Sequence, residues 1–163
     1  MKNIVLLFFI VCFSQVATAQ LTSKPKCGTF VVDILNGKVN NLKPDTPIPE
    51  IKDALPCSTS VDEEGGGSKC GGGIYYKDRD IYFFTSRDYV EIGEKFKGQL
   101  SIPLMGAPRN SLFKWLGNPK IKDDNWDAFG MAYGTLVLHY NAAGKVKLIQ
   151  FSTKSTDELK LCE

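Results

Sequence analysis

Residues Ile4 to Phe13 form an almost unbroken apolar run, preceded by Met1-Lys2-Asn3 and followed by Ala17-Thr18-Ala19 before Gln20. A positive start, a short apolar stretch and a small-x-small site mark a secretory signal peptide cleaved near Ala19-Gln20. The run is too short and wrongly flanked for a membrane span. Export bounds the fold because it places the rest of the chain in an oxidising setting, secreted or periplasmic, where thiols pair. Of the five cysteines, cleavage removes Cys12 and leaves Cys27, Cys57, Cys70 and Cys162. The thiol count becomes even.

Four cysteines allow three connectivities. We expect Cys57–Cys70 together with Cys27–Cys162. The first pair brackets Ser58 to Lys69, a polar, Gly-rich loop whose ends meet if the flanking segments are neighbours. Closing a loop of roughly fourteen residues stabilises by about 3 kcal/mol in a chain-entropy treatment. The second pair would clasp the chain ends. A zinc site would need close Cys-x-x-Cys spacing, which is missing, and the single histidine, His139, is remote in sequence. We therefore expect no metal and no cofactor.

The formal net charge of +2 falls to about +1 once Lys2 is cleaved away, and no concentrated basic face is visible, so a nucleic-acid partner is not expected. No second apolar run reaches membrane-spanning length. Cys12 follows Val11 rather than the small residue that lipoprotein processing prefers, so neither a membrane span nor a lipid anchor is expected. The length suits one domain over residues 20–163 with a core of its own.

Beyond a polar lead-in, Gly28 to Leu35 is β-branched and apolar, and Asn36-Gly37 signals a hairpin to a partner strand at Lys38 to Leu42. Thr46 is placed to cap a short helix that tolerates Pro47 and Pro49 only in its first turn and stops at Pro56. Strands are expected at Ile74 to Tyr76, Ile81 to Thr85 and Tyr89 to Phe96, the last alternating with period two. A second short helix, from Asn110 or Ser111 to Leu116, meets Gly117 at a left-handed end. Trp126 to Tyr133, Gly134 to Tyr140 and Lys145 to Thr153 read as three final strands. The fold class is α+β: an antiparallel sheet with short helices on one face. Two tandem half-repeats, 28–98 and 99–163, share the plan of a Pro-rich entry, a short helix and antiparallel strands.

The most distinctive segment spans Ser111 to Thr153. Its skeleton is Leu112, Phe113, Leu116-Gly117-x-Pro119, Trp126, Tyr133-Gly134-Thr135-Leu136-x-Leu138-x-Tyr140 and Gly144-Lys145-Val146. This resembles the module shared by β-lactamase inhibitory protein and the SmpA/OmlA-type lipoproteins of outer-membrane assembly. The resemblance implies non-catalytic protein binding, with aromatic side chains presented on a concave sheet face. Matching positions are Tyr75, Tyr82, Phe84, Trp126 and Val137. The chain departs from the family in lacking a lipid-anchor cysteine and an enzyme-contacting loop like the inhibitor's, so a β-lactamase target is not carried over.

Candidate catalytic groups lack their partners in sequence. His139 shares a strand face with Val137, but no Gly-x-Ser-x-Gly elbow accompanies it and every mature cysteine has a disulfide partner. Asp123, Asp124, Asn125 and Asp127 imitate part of a calcium loop, yet Ala128 and Gly134 stand where the EF-hand needs Gly and Glu. Gly65 to Gly73 lacks the Gly-Lys-Ser/Thr ending of a phosphate cradle, although a long exposed loop is a natural recognition element. Asp78, Asp80, Asp88, Glu91 and Glu94 are the carboxylates from which a hydrolase would draw an acid pair. Phe113 and Trp115 lie on the short helix with Leu112 and Leu116, and at least part of that set is assigned to the core. Ile81 to Phe84 is apolar on both strand faces, so its outer face is either covered by the N-terminal segment or forms a contact surface. The expectation is a secreted or periplasmic protein-binding module of inhibitor or immunity type whose partner is another exported protein. The alternatives are a secreted hydrolase and an envelope-assembly accessory protein.

Overall fold

The computed structural model describes residues 26–63 and 69–162; the expected signal peptide and the tip of the Gly-rich loop lie outside them. The fold is α+β and mostly antiparallel. Strand β1 (Phe30–Asp33) buries Phe30 and Val32 and leaves Val31 in solvent, as alternation in FVVD dictates. It pairs antiparallel with β2 (Lys38–Val39). The turn between them is wider than a two-residue hairpin. Asp33 Oδ1 accepts the N–H groups of Leu35 and Asn36, and Gly37 turns the chain at φ 61°.

Helix α1 (Ile48–Ala54) buries Ile51 and is capped by Pro47, with Pro49 in its first turn. Thr46 does not cap it. Its Oγ1 accepts the Lys43 N–H at 3.0 Å and closes the preceding turn instead. The helix then ends at Leu55, just before Pro56.

Nine strands follow: β3 (Ser60–Asp62), β4 (Gly73–Tyr76), β5 (Ile81–Phe84), β6 (Tyr89–Ile92), β7 (Gly98–Leu100) and, after helix α2 (Phe113–Leu116), β8 (Ile121–Lys122), β9 (Trp126–Met131), β10 (Gly134–Tyr140) and β11 (Val146–Ser152). All but β7 form one sheet in the order β3-β4-β5-β6-β11-β10-β9-β8. Two four-strand meanders thus meet at the β6–β11 seam, each preceded by a short helix. The expected strand from Tyr89 to Phe96 is shorter, because the chain leaves the sheet after Ile92 to supply β7. That strand pairs in parallel with β1, Phe30 opposite Gly98, completing a second sheet β2-β1-β7. Gly117 ends α2 with positive φ but ψ −153°, outside the left-handed helical region.

The large sheet sends Ile74, Tyr76, Phe83, Val90, Leu136, Leu138, Ile149 and Phe151 to an inner face, where they pack with Phe30, Val32, Ile34, Ile51, Leu104 and Leu112. Phe30 meets Tyr76 edge-on at 5.0 Å, and the Tyr76 hydroxyl donates to the Leu55 carbonyl at 2.7 Å. Each of these large side chains contributes about 1.5–3 kcal/mol through removal from water. The N-terminal elements therefore cover the inner face, not the outer side of Tyr82 and Phe84.

Both disulfides differ from the expected pairing: Cys27 joins Cys57, and Cys70 joins Cys162, each with Cα atoms 5.3 Å apart. The reason is strand direction. β3 and β4 are antiparallel, Ser60 opposite Tyr75 and Asp62 opposite Gly73. Cys57, three residues before β3, and Cys70, three residues before β4, consequently sit at opposite ends of that hairpin, beyond disulfide reach. Two disulfides fit an extracellular or periplasmic setting. No helix among the described residues is long and apolar enough to cross a membrane.

Candidate functional site: the outer sheet face and its strap

Period-two alternation that fills the core also lines up a second set of side chains on the outer face. Cross-strand register places Tyr75, Tyr82, Glu91, Gln150, Val137, Ala128 and Ile121 in one row across seven strands. All five residues expected to form a binding face lie on this side, in two groups.

The first group is aromatic. Tyr75 contacts Tyr82 and Phe84 at ring separations of 6.1 and 5.6 Å, and Phe84 stacks on Tyr89 at 4.5 Å. Tyr75 and Tyr89 are buried, while Tyr82 and Phe84 are half-buried. Burial pushes the Tyr89 hydroxyl up to about 12. The Tyr82 hydroxyl donates to Asp80 Oδ1 at 3.2 Å, and burial, then the Asp80 charge, raises its pKa.

The second group, Trp126 and Val137, is opposite in register to His139 and Gln150. Between the groups runs a polar relay. Gln150 Nε2 donates to Glu91 Oε2 at 2.8 Å, and Gln150 Oε1 lies 2.8 Å from His139 Nε2. Burial raises the Glu91 pKa, opposed by the Gln150 hydrogen bond and by His139, and reinforced by Asp80. Of the five carboxylates considered for acid chemistry, Asp80 and Glu91 are the two that flank Tyr82. Asp78 pairs with Arg79, Asp88 with Lys154 at 2.9 Å, and Glu94 is in solvent.

After β11 the chain turns back over this face as a strap, residues 153–162. Thr135 Oγ1 donates to the Lys154 carbonyl at 2.9 Å, Lys120 pairs with Asp157 at 3.1 Å, and the Cys162 N–H donates to the Tyr89 hydroxyl at 3.2 Å. Arg87 fastens the far end, donating to the carbonyls of Lys69, Cys70, Lys160 and Leu161. Thr156, Leu159 and Leu161 thereby sit above Trp126, Ala128, Val137 and His139, and together they line a half-open cavity of about 150 Å³. Val137 is left 3% exposed. The strap was not foreseen, although Leu159-x-Leu161-Cys162 signals it: alternate apolar residues leading into a disulfide belong to a packed segment.

The acidic run after β8 is divided by the same alternation. Asp127 faces the inner side, where Arg109 grips its carboxylate through Nε and Nη2 and the Tyr140 hydroxyl donates to Oδ2 at 2.7 Å. Asp123 and Asp124 stay exposed, with their carbonyls on Arg109. Nor does the Cys57–Cys70 loop exist as a stapled unit. Its first part is strand β3, and Gly65 to Ser68 lie outside the described residues.

Part of the α2 set is core, as expected, with Leu116 packed against the core cluster. Leu112 is buried, but Phe113 is 63% and Trp115 45% exposed on the short α2, with Lys114 Nζ 4.8 Å from the Trp115 ring centroid. Compared with protein-family models, with curated proteins and with solved structures, the chain matches none.

Proposed function

We propose that this chain is an exported, disulfide-stapled module that binds another exported protein, of inhibitor or immunity type. The observation that carries this reading is the exposure of both Phe113 and Trp115 on the short α2. Large aromatic groups held in solvent by a buried neighbour, Leu112, are costly to hydrate and are the residue types enriched at interface hot spots. Tyr82 and Phe84 supply a second aromatic edge. Trp126 and Val137 lie beneath the strap and act on a partner only if the strap moves. The resemblance carried by residues 111–153 adds support, since protein binding is what it implies.

Affinity capture with the oxidised mature protein, from the envelope and medium of its source cells, tests the reading. A partner lost with Phe113→Ala/Trp115→Ala and kept with Tyr82→Ala/Phe84→Ala assigns contact to α2; the reverse assigns it to the sheet edge. Capture unchanged by both pairs overturns the reading.

The hydrolase alternative draws on the Asp80–Tyr82–Glu91 arrangement and the raised pKa of Glu91. Equal hydrolysis of glycoside and peptide substrates by the wild type and Glu91→Gln would remove it.

A further inference from the structure

The cavity between strap and sheet has a size, a lining and a polar corner that together specify a ligand. Its volume, about 150 Å³, matches that of cavities known to admit a benzene-sized molecule. The floor is Trp126, Ala128 and Val137, the roof Leu159 and Leu161, and no Lys, Arg, Asp or Glu lines it. A charged guest would enter without a counter-charge and lose part of its hydration, so the site favours uncharged molecules.

Two of its lining residues have hydrogen-bonding capacity left over. Ionised Glu91 can only accept, which orients the Gln150 amide with its NH₂ towards Glu91 and its carbonyl oxygen towards His139. A neutral His139 must then carry its proton on Nε2 and keep Nδ1 as an acceptor, and no described group bonds Nδ1. Thr156 Oγ1, in the strap, is sealed from solvent without a hydrogen-bond partner, and rotation about χ1 is the motion that would turn it to a guest. Buried hydroxyls are rarely left unpaired unless something else completes them.

We propose that this cavity is a binding site for a small, uncharged ring compound bearing one hydroxyl, a guest of the phenol class. The ring fills the apolar space between Trp126 and the leucines, and its hydroxyl donates to His139 and accepts from Thr156. The Cys70–Cys162 bond keeps the roof in place, so the site is preorganised in the oxidised protein. The inference is independent of the α2 contact surface, and either can fail alone.

The test is a calorimetric titration of the oxidised mature protein with phenol, benzene and benzoate, with Trp126 fluorescence followed in a Trp115→Phe background. We expect phenol to saturate one site and quench Trp126, benzene to bind about thirtyfold more weakly for want of both hydrogen bonds, and benzoate not to bind. Thr156→Val should weaken phenol while leaving benzene unchanged. Val137→Phe, which fills the cavity, should abolish both, and Ala128→Leu provides a second filling variant should the first fail to fold. Non-saturating phenol binding, equal affinity for all three probes, or phenol binding retained in a folded cavity-filled variant would overturn the proposal.

Discussion

Asp127 is the side chain on which the inner face is least able to compromise. Its carboxylate is almost wholly buried and receives Arg109 and Tyr140 together, while Arg109 also spans to the Asp123 and Asp124 carbonyls. Asp127→Asn keeps the shape but strips the charge that holds the guanidinium. Because the Arg109 side chain remains 25% exposed, the expected loss is about 2 kcal/mol, below the ~3–5 kcal/mol of a fully buried pair. Thermal denaturation should register this as a fall in Tm of roughly 4–8 °C. Glu91 behaves in the opposite electrostatic sense. Its pKa stands above the ordinary 4.5 mainly through burial, so the folded state holds its proton more tightly than the unfolded state does. That contribution is full below the ordinary value and disappears as pH climbs through the raised one. Scanning Tm from about pH 4 to 7, the advantage of wild type over Glu91→Gln should shrink as pH rises; a growing advantage would mean that hydrogen bonding outweighs desolvation.

At the level of elements, β4, β5, β9, β10 and β11 were readable because alternation with one buried face leaves a period-two imprint. Strand β3 was not. Ser60-Val61-Asp62 is a half-buried edge with little apolar pattern, and its neighbours are Gly-rich. The parallel β1–β7 contact joins positions far apart in sequence, where local pattern carries no information. The candidate site was legible in part for the same reason: alternation put the aromatic residues on one face, but the strap that covers half of them follows from a disulfide between distant cysteines. Removing that bond tests the strap as an element. Cys70→Ser with Cys162→Ser should raise hydrogen–deuterium exchange across 154–162 and increase binding of an apolar dye as Trp126 and Val137 become accessible, while the amides of β10 and β11 stay protected. The accompanying loss, for a separation of 92 residues, has an upper value of about 4.5 kcal/mol in the chain-entropy treatment. An exchange pattern unchanged in 154–162 would show that Arg87 and the leucines suffice.

For the molecule as a whole, the two covalent loops differ in more than size. Cys27–Cys57 encloses β1, β2 and α1, a separation of 30 residues, whereas Cys70–Cys162 encircles every strand from β4 to β11. If the chain is exported amino end first, as proposed, Cys27 and Cys57 emerge well before Cys162. The first bond can therefore close while the large sheet is still incomplete, and it occupies the one thiol that nearest-neighbour chemistry would otherwise join to Cys70. Pulse-labelled chains trapped with a thiol-blocking reagent during export should show 27–57 before 70–162, with little transient 57–70. On that route Cys70 stays reduced until Cys162 arrives, so closing the second bond follows passage of the strands from β4 to β11. A chain truncated before Cys162 would keep Cys70 unpaired, a free thiol that marks it chemically apart from the intact protein.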